Sequence, residues 1–106
     1  MSASCLFCRI VRGEIPATIV RQDEHCLAFR DINPQAPVHV LVIPRAHVES
    51  MDALADAAIG GHVLAMAAEV ARQEGIAGTG YRTVFNTNGD GGQTVFHLHA
   101  HVLGGR

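Results

Sequence analysis

Three histidines at alternate positions, His97, His99 and His101, are the residues of this chain best suited to chemistry. Side chains of an extended segment alternate between faces, so the three imidazoles point one way and Leu98, Ala100 and Val102 the other. Such a row can supply three ligands to a zinc ion, or a nucleophile and its supporting acid for phosphoryl chemistry. Just before it runs Asn88-Gly89-Asp90-Gly91-Gly92-Gln93-Thr94, a glycine-rich turn. Taken alone this segment reads equally as a hairpin turn or as a nest of backbone N–H groups for phosphate oxygens. Joined to the histidines it favours phosphate, and Thr94 adds a hydroxyl where a leaving group would sit. A second chemical feature is Cys5-x-x-Cys8. This is a metal-type spacing but half a site, and such a pair on a helix also reads as two small core residues. With no second pair of this kind, any zinc site must recruit histidines.

The elements that must position these residues follow from periodicity. Cys5 to Arg12 reads as a short helix with Gly13 as its stop. Ala17–Arg21 and Cys26–Asp31 read as strands joined by the polar segment 22–25, and Asp31 to Pro37 is a loop punctuated by two prolines. Val38 to Ile43 is apolar and β-branched, the pattern of a buried strand closed by Pro44. Between Met51 and Glu74, Ile59, Val63, Met66 and Val70 recur at helical spacing, and Gly75 ends the helix. Tyr81–Thr87 and Thr94–Leu103 are the last two strands. Short strand connections predict an antiparallel sheet with helices on one face, an α+β domain spanning residues 1–106.

Composition narrows the function classes. All eight basic residues are arginine, so Schiff-base chemistry and a Walker-type lysine are excluded. A formal charge of −2 argues against binding nucleic acid through its phosphates. The longest uncharged stretch, Gly91 to Gly105, is too short to span a bilayer, and residues 1–5 lack the pattern of a signal peptide. The expectation is a cytoplasmic protein without membrane or nucleic-acid partners. Three cysteines, an odd number, point to thiols or metal ligands rather than disulfides. Cys26 reads as core, and His25 and His62 as surface residues.

The run His97 to Leu103 resembles the histidine triad (HIT) motif, in which three histidines alternate with apolar residues. Cys5 to Ile10, Gly13 to Ala17, Asp31 to His39, Val42 to His47, Asp90 to Gln93 and the ending Gly104-Gly105-Arg106 are similar to the Hint-like branch, the histidine triad nucleotide-binding proteins. The resemblance implies a five-stranded antiparallel sheet with two helices, paired as a homodimer with a continuous ten-stranded sheet. It implies hydrolysis of nucleoside phosphoramidates or related phosphoanhydrides at the α-phosphorus, with AMP or GMP as the bound purine nucleotide. His99 would be the nucleophile that carries the nucleotide, and His101 would hold a phosphate oxygen with support from His39. Thr94 stands where that branch usually has serine, and Asn86, Gly92 and Gln93 would help hold the phosphate. Asp31 would bind the ribose, while Leu6, Phe7, Ile10, Phe29 and Ile32 would wall the base pocket. The resemblance also names His47 and His97 as the histidines that would join Cys5 and Cys8 around a structural zinc, with no cofactor required for catalysis. Two rival readings are a hydrolase whose three triad histidines all bind catalytic zinc, and a nucleotide-binding scaffold whose hydrolysis is incidental.

Overall fold

The protein is described from a computed structural model covering residues 4–105; residues 1–3, which carry part of the leader expectation, and Arg106 of the Gly-Gly-Arg ending lie outside the described residues. Helix α1 spans Leu6–Val11, and its N-cap is Cys5, whose Sγ accepts from the Cys8 N–H at 3.4 Å. Strands β1 (Ile19–Gln22), β2 (Cys26–Arg30) and β3 (Val38–Pro44) follow. A single 3-10 turn over Met51–Ala53 precedes helix α2 (Ala57–Gln73), and strands β4 (Tyr81–Val84) and β5 (Ala100–Gly104) complete the chain. The Asp56 carboxylate caps α2 by accepting from the Ala58 N–H at 2.9 Å, and Gly75, just past the Glu74 C-cap, takes the left-handed φ of 77°.

All five strands form one antiparallel sheet in the order β1-β2-β3-β5-β4. In register, His39 faces Leu103 and Leu41 faces His101 across β3 and β5, while Val84 faces His101 across β4 and β5. The two faces carry separate cores. On one, Val63, Met66, Ala67 and Val70 of α2 pack against Ala28, Val40, Val42, Ala100 and Val102. On the other, Phe7 and Ile10 of α1 pack against Leu27, Phe29, Leu41 and Ile43. The expectation of both helices on one face is therefore corrected: each helix covers its own face. The cause is visible in β3, which is buried along nearly its whole length without alternation, as a strand covered on both sides must be.

The final strand is also shorter than its sequence pattern. It starts at Ala100 rather than Thr94, so of the three histidines only His101 lies on it. The backbone just upstream is bound elsewhere: the Leu98 N–H donates to the Val48 carbonyl at 2.6 Å, and the His97 carbonyl accepts from the His99 ring. Those groups are unavailable to a ladder. Strand β4 likewise stops at Val84, three residues before its expected end, and β1 starts two residues late. Among the described residues no helix is long and apolar enough to cross a membrane.

Candidate functional site

The α1 face of the sheet gathers the chemistry. His99 is buried, and its Nδ1 donates to the His97 carbonyl oxygen at 2.7 Å. A carbonyl only accepts, so Nδ1 carries the proton and Nε2 keeps its lone pair. Burial holds this imidazole below its ordinary pKa, against the opposing pull of the His97 carbonyl and of Asp31. The ring packs edge-on against Phe7, with centroids 5.1 Å apart. A neutral imidazole with a fixed tautomer and a restrained ring is the form a nitrogen nucleophile requires.

His101 is set by a chain of contacts that begins in the proline loop. The Gln35 N–H donates to His39 Nδ1 at 3.0 Å, so the His39 proton resides on Nε2. That Nε2 lies 2.9 Å from His101 Nδ1 and 3.4 Å from an Asp31 carboxylate oxygen. The shorter contact makes His101 Nδ1 the acceptor, which leaves Nε2–H of His101 as a donor. Burial, reinforced by His99 and His39, pushes His101 down to about 4.

Beside His99 opens an apolar cavity of about 330 Å³. Leu6, Phe7, Ile10, Phe29, Asp31, Ile32, Thr94 and His99, all singled out from the sequence, line it. The helix α1 supplies one wall, β2 another, and the loop after β2 the rim that bears Asp31. Ile32 is fully exposed at that rim. Sequence reasoning missed Ile15, Pro16, Ala17, Arg30, Leu41 and Val95, which complete the lining; the strand alternation of Leu41 with Val40 and Val42 was the signal that could have found one of them. Thr94 lies where this cavity meets a second one that Cys5, His47 and Glu49 help to line.

The glycine-rich turn is built around Gln93. Its Oε1 accepts from the Asn88 N–H at 2.8 Å, and its Nε2 donates to the Glu49 carbonyl at 2.7 Å and the Val95 carbonyl at 3.0 Å. Both amide hydrogens are thus engaged, and the Gln93 side chain holds the turn in shape. Asn86 does similar work, donating from Nδ2 to the Gly91 carbonyl at 2.7 Å. Gly92 adopts a φ of 83° and is exposed.

The cysteine pair converges with two histidines. Ligand atoms of Cys5, Cys8, His47 and His97 all lie within 4.8 Å of one another. Cys8 Sγ is 3.2 Å from His47 Nδ1 and 3.5 Å from His97 Nδ1, Cys5 Sγ is 3.5 Å from His97 Nδ1, and the two histidine nitrogens are 3.3 Å apart. Tetrahedral zinc with bonds of about 2.3 Å to sulfur and about 2.05 Å to nitrogen has edges of roughly 3.5 Å and 3.3 Å. The donor set therefore fits. His97 Nε2 donates to the Pro44 carbonyl at 2.8 Å, which orients the ring and frees Nδ1 as a ligand. Burial pushes His97 down to about 4, the neutral state a ligand needs. The third cysteine is different: burial pushes the Cys26 thiol up to about 11 and leaves it inert in the core.

The three triad histidines do not gather into one set of ligands. Among the described residues, His97 groups with the cysteines, His101 groups with Asp31 and His39, and His99 belongs to neither. His25 and His62, expected at the surface, stack on each other with centroids 3.6 Å apart and do not line the cavity.

Comparison with known proteins adds to this geometry. The family profile described as HIT domain matches residues 12–106. An uncharacterized HIT-like protein of Synechococcus elongatus is 54% identical over all of this chain and 94% of its own length. The purine nucleoside phosphoramidase of Escherichia coli is 47% identical over all of this chain and 91% of its own. Among solved structures, a HIT family hydrolase from Legionella pneumophila superposes with a TM-score of 0.94 at 50% identity, covering 97% of this chain and 94% of that one. A histidine triad protein from Clostridium difficile gives 0.95 at 42% identity, covering 98% and 92%.

Proposed function

The chain belongs to the HIT domain family, and from that membership we propose that it is a hydrolase of nucleoside 5′-phosphoramidates, of the purine type, working through a nucleotide bound covalently to His99. The observation that carries this reading is the contact of His99 Nδ1 with the His97 carbonyl, which leaves Nε2 as a lone pair on a residue lining the apolar cavity. The E. coli relative's name, purine nucleoside phosphoramidase, supports the substrate class. A purine ring fits a wall of Leu6, Phe7, Ile10 and Phe29, and the Asp31 carboxylate at the rim suits ribose hydroxyls.

In the first step His99 Nε2 attacks the α-phosphorus and the P–N bond to the leaving amine breaks. The amine departs with the bonding pair and takes a proton from His101, which has gained it from solvent on binding the anionic phosphate. In the second step water attacks phosphorus and gives a proton back to His101. The bond to His99 breaks, its electron pair returns to Nε2, and the nucleoside monophosphate is released.

Cys5, Cys8, His47 and His97 would hold a structural zinc, tying α1 to the segment before β5. A site with four protein ligands is closed and contributes fold stability, not a reaction step. Pairing as a homodimer belongs to the same reading, since β1 and β4 are the outer strands of the sheet. The test is incubation with adenosine 5′-phosphoramidate, with AMP release followed and the acid-quenched protein mapped by mass spectrometry. A nucleotidyl adduct on His99, and no turnover by His99→Ala, are expected. Turnover surviving in that variant, or an adduct on another residue, refutes the mechanism.

A further inference from the structure

The run Cys5-Leu6-Phe7-Cys8 sets two residues of the nucleotide cavity between two residues of the metal set. Cys5 at the N-cap and Cys8 within α1 are three apart, the spacing that puts two side chains on one face of a helical turn. Both belong to the four-donor group with His47 and His97. Leu6 and Phe7 leave the same turn in other directions and line the apolar cavity beside His99.

Helix α1 is only six residues long. A helix of that length does not hold itself in water, so its place depends on packing and on its ties. Cys8 Sγ ties it to His47 and His97, and Cys5 Sγ is at once the N-cap acceptor of α1 and a donor atom of the set. Phe7 is buried and packs edge-on against both His97 and His99, with ring centroids 6.0 Å and 5.1 Å away.

His97 is the second link. Its Nδ1 faces the cysteines, its Nε2 donates to the Pro44 carbonyl, and its own carbonyl accepts from His99 Nδ1. The next amide, that of Leu98, donates to the Val48 carbonyl, one residue beyond His47. The donor set therefore meets the nucleotide cavity twice, at the Phe7 wall and at His99.

We propose that the two sites are thermodynamically coupled: zinc on Cys5, Cys8, His47 and His97 tightens nucleotide binding, because it holds α1 in the placement that completes the cavity. This rests on the nucleotide reading and the structural zinc set out above. Without the ion α1 spends part of its time displaced, and apparent affinity falls with the fraction of chains that keep the cavity formed. Such coupling is reciprocal, so a bound nucleotide tightens zinc by the same factor. The metal then governs substrate affinity without entering a reaction step.

The experiment measures AMP affinity by titration calorimetry on zinc-loaded and on chelator-stripped protein. Zinc affinity is measured by chelator competition with and without saturating AMP, corrected for zinc held by free AMP. Stripping is expected to weaken AMP about tenfold, within the roughly 5–150-fold span of coupled sites, and AMP to tighten zinc equally. Hydrogen exchange locates the change. The Arg9 and Arg12 amides, bonded to the Cys5 and Cys8 carbonyls, should exchange faster in stripped protein, while amides of the central strand β3 keep their protection. Equal AMP affinity with and without zinc, or a zinc affinity indifferent to AMP, overturns the inference while the nucleotide reading stands. So does loss of protection in β3 along with α1, since the ion would then hold the whole fold and not the cavity wall. A chain that takes up no zinc overturns it too, again leaving the nucleotide reading in place. Failure of AMP to bind the zinc-loaded protein overturns that reading and this inference with it.

Discussion

His39 Nε2 lies 2.9 Å from His101 Nδ1, and this contact, anchored by the Gln35 N–H on the far side of the His39 ring, fixes the tautomer of His101. Backbone geometry in the proline loop is thereby transmitted through two imidazoles to the Nε2–H of His101. The relay explains why His39, on the neighbouring strand, is buried beside a charged residue.

Replacing His39 by phenylalanine keeps the ring volume and removes the donor. The kcat for phosphoramidates is expected to fall by about 10²-fold, the lower range for general acid catalysis. An ester with a good phenolate leaving group, which departs without a proton, should lose far less. Steady-state kinetics with both substrates check this, and equal losses would place His39 outside the proton path.

Folding stability should fall on acidification because of His101. Its pKa is ordinarily about 6.5 in the unfolded chain and is pushed down to about 4 in the fold. Between these values the unfolded state binds more protons, so unfolding free energy rises with pH across the window and levels off above it. Urea unfolding at pH 7, 5.5 and 4.5 should show the decline. His101→Gln is expected to flatten the slope by up to about one proton; a slope identical to wild type would contradict the assigned shift.

How much of this was legible in the sequence depends on whether a feature is local. The cavity-lining residues Leu6, Phe7, Ile10, Phe29 and Ile32 came from the family resemblance, because periodicity places α1 and β2 but does not show that they wall one cavity. The one-face expectation for the helices failed although the information was present: Val38–Pro44 has no polar alternate, which requires cover on both sides. The strand through His97 and His99 was overread because an alternating pattern says nothing about where backbone hydrogen bonds go. Here Val48 and the His99 ring take them. The bracing contacts of Gln93 were hidden for a related reason, since its three partners are Asn88, Glu49 and Val95 and only folding brings Glu49 there.

Metal content offers a direct check on the cysteine–histidine cluster. Protein purified without chelator is expected to carry about one zinc per chain, as a closed four-ligand site requires. Cys8→Ser should abolish it and lower the melting temperature. A loss of each kcal/mol at this chain length corresponds to about 4–8 °C. Elemental analysis and calorimetry on both proteins decide the matter; wild-type protein free of zinc would remove the metal from the account.

The glycine-rich turn should respond to one methyl group in a position-dependent way. A Cβ on Gly91 would stand 2.4 Å from the Thr87 carbonyl oxygen and 2.9 Å from the Thr87 nitrogen, both backbone atoms that cannot yield without moving the turn. The Gly91 carbonyl is also the acceptor for Asn86 Nδ2, so a shift there releases the side chain that braces the loop. A Cβ on Gly89 would meet nothing within 4 Å. Gly91→Ala is therefore expected to cost about 1–3 kcal/mol, as overpacking does, and Gly89→Ala to stay within about 0.5 kcal/mol of wild type. Because the turn leads directly into the residues that hold His97 and His99, Gly91→Ala should lower kcat/KM even at temperatures where the protein is fully folded. Denaturant titration paired with phosphoramidase kinetics on the two variants separates the effects, and equal behaviour of the two alanines would mean that the turn does not position the histidines.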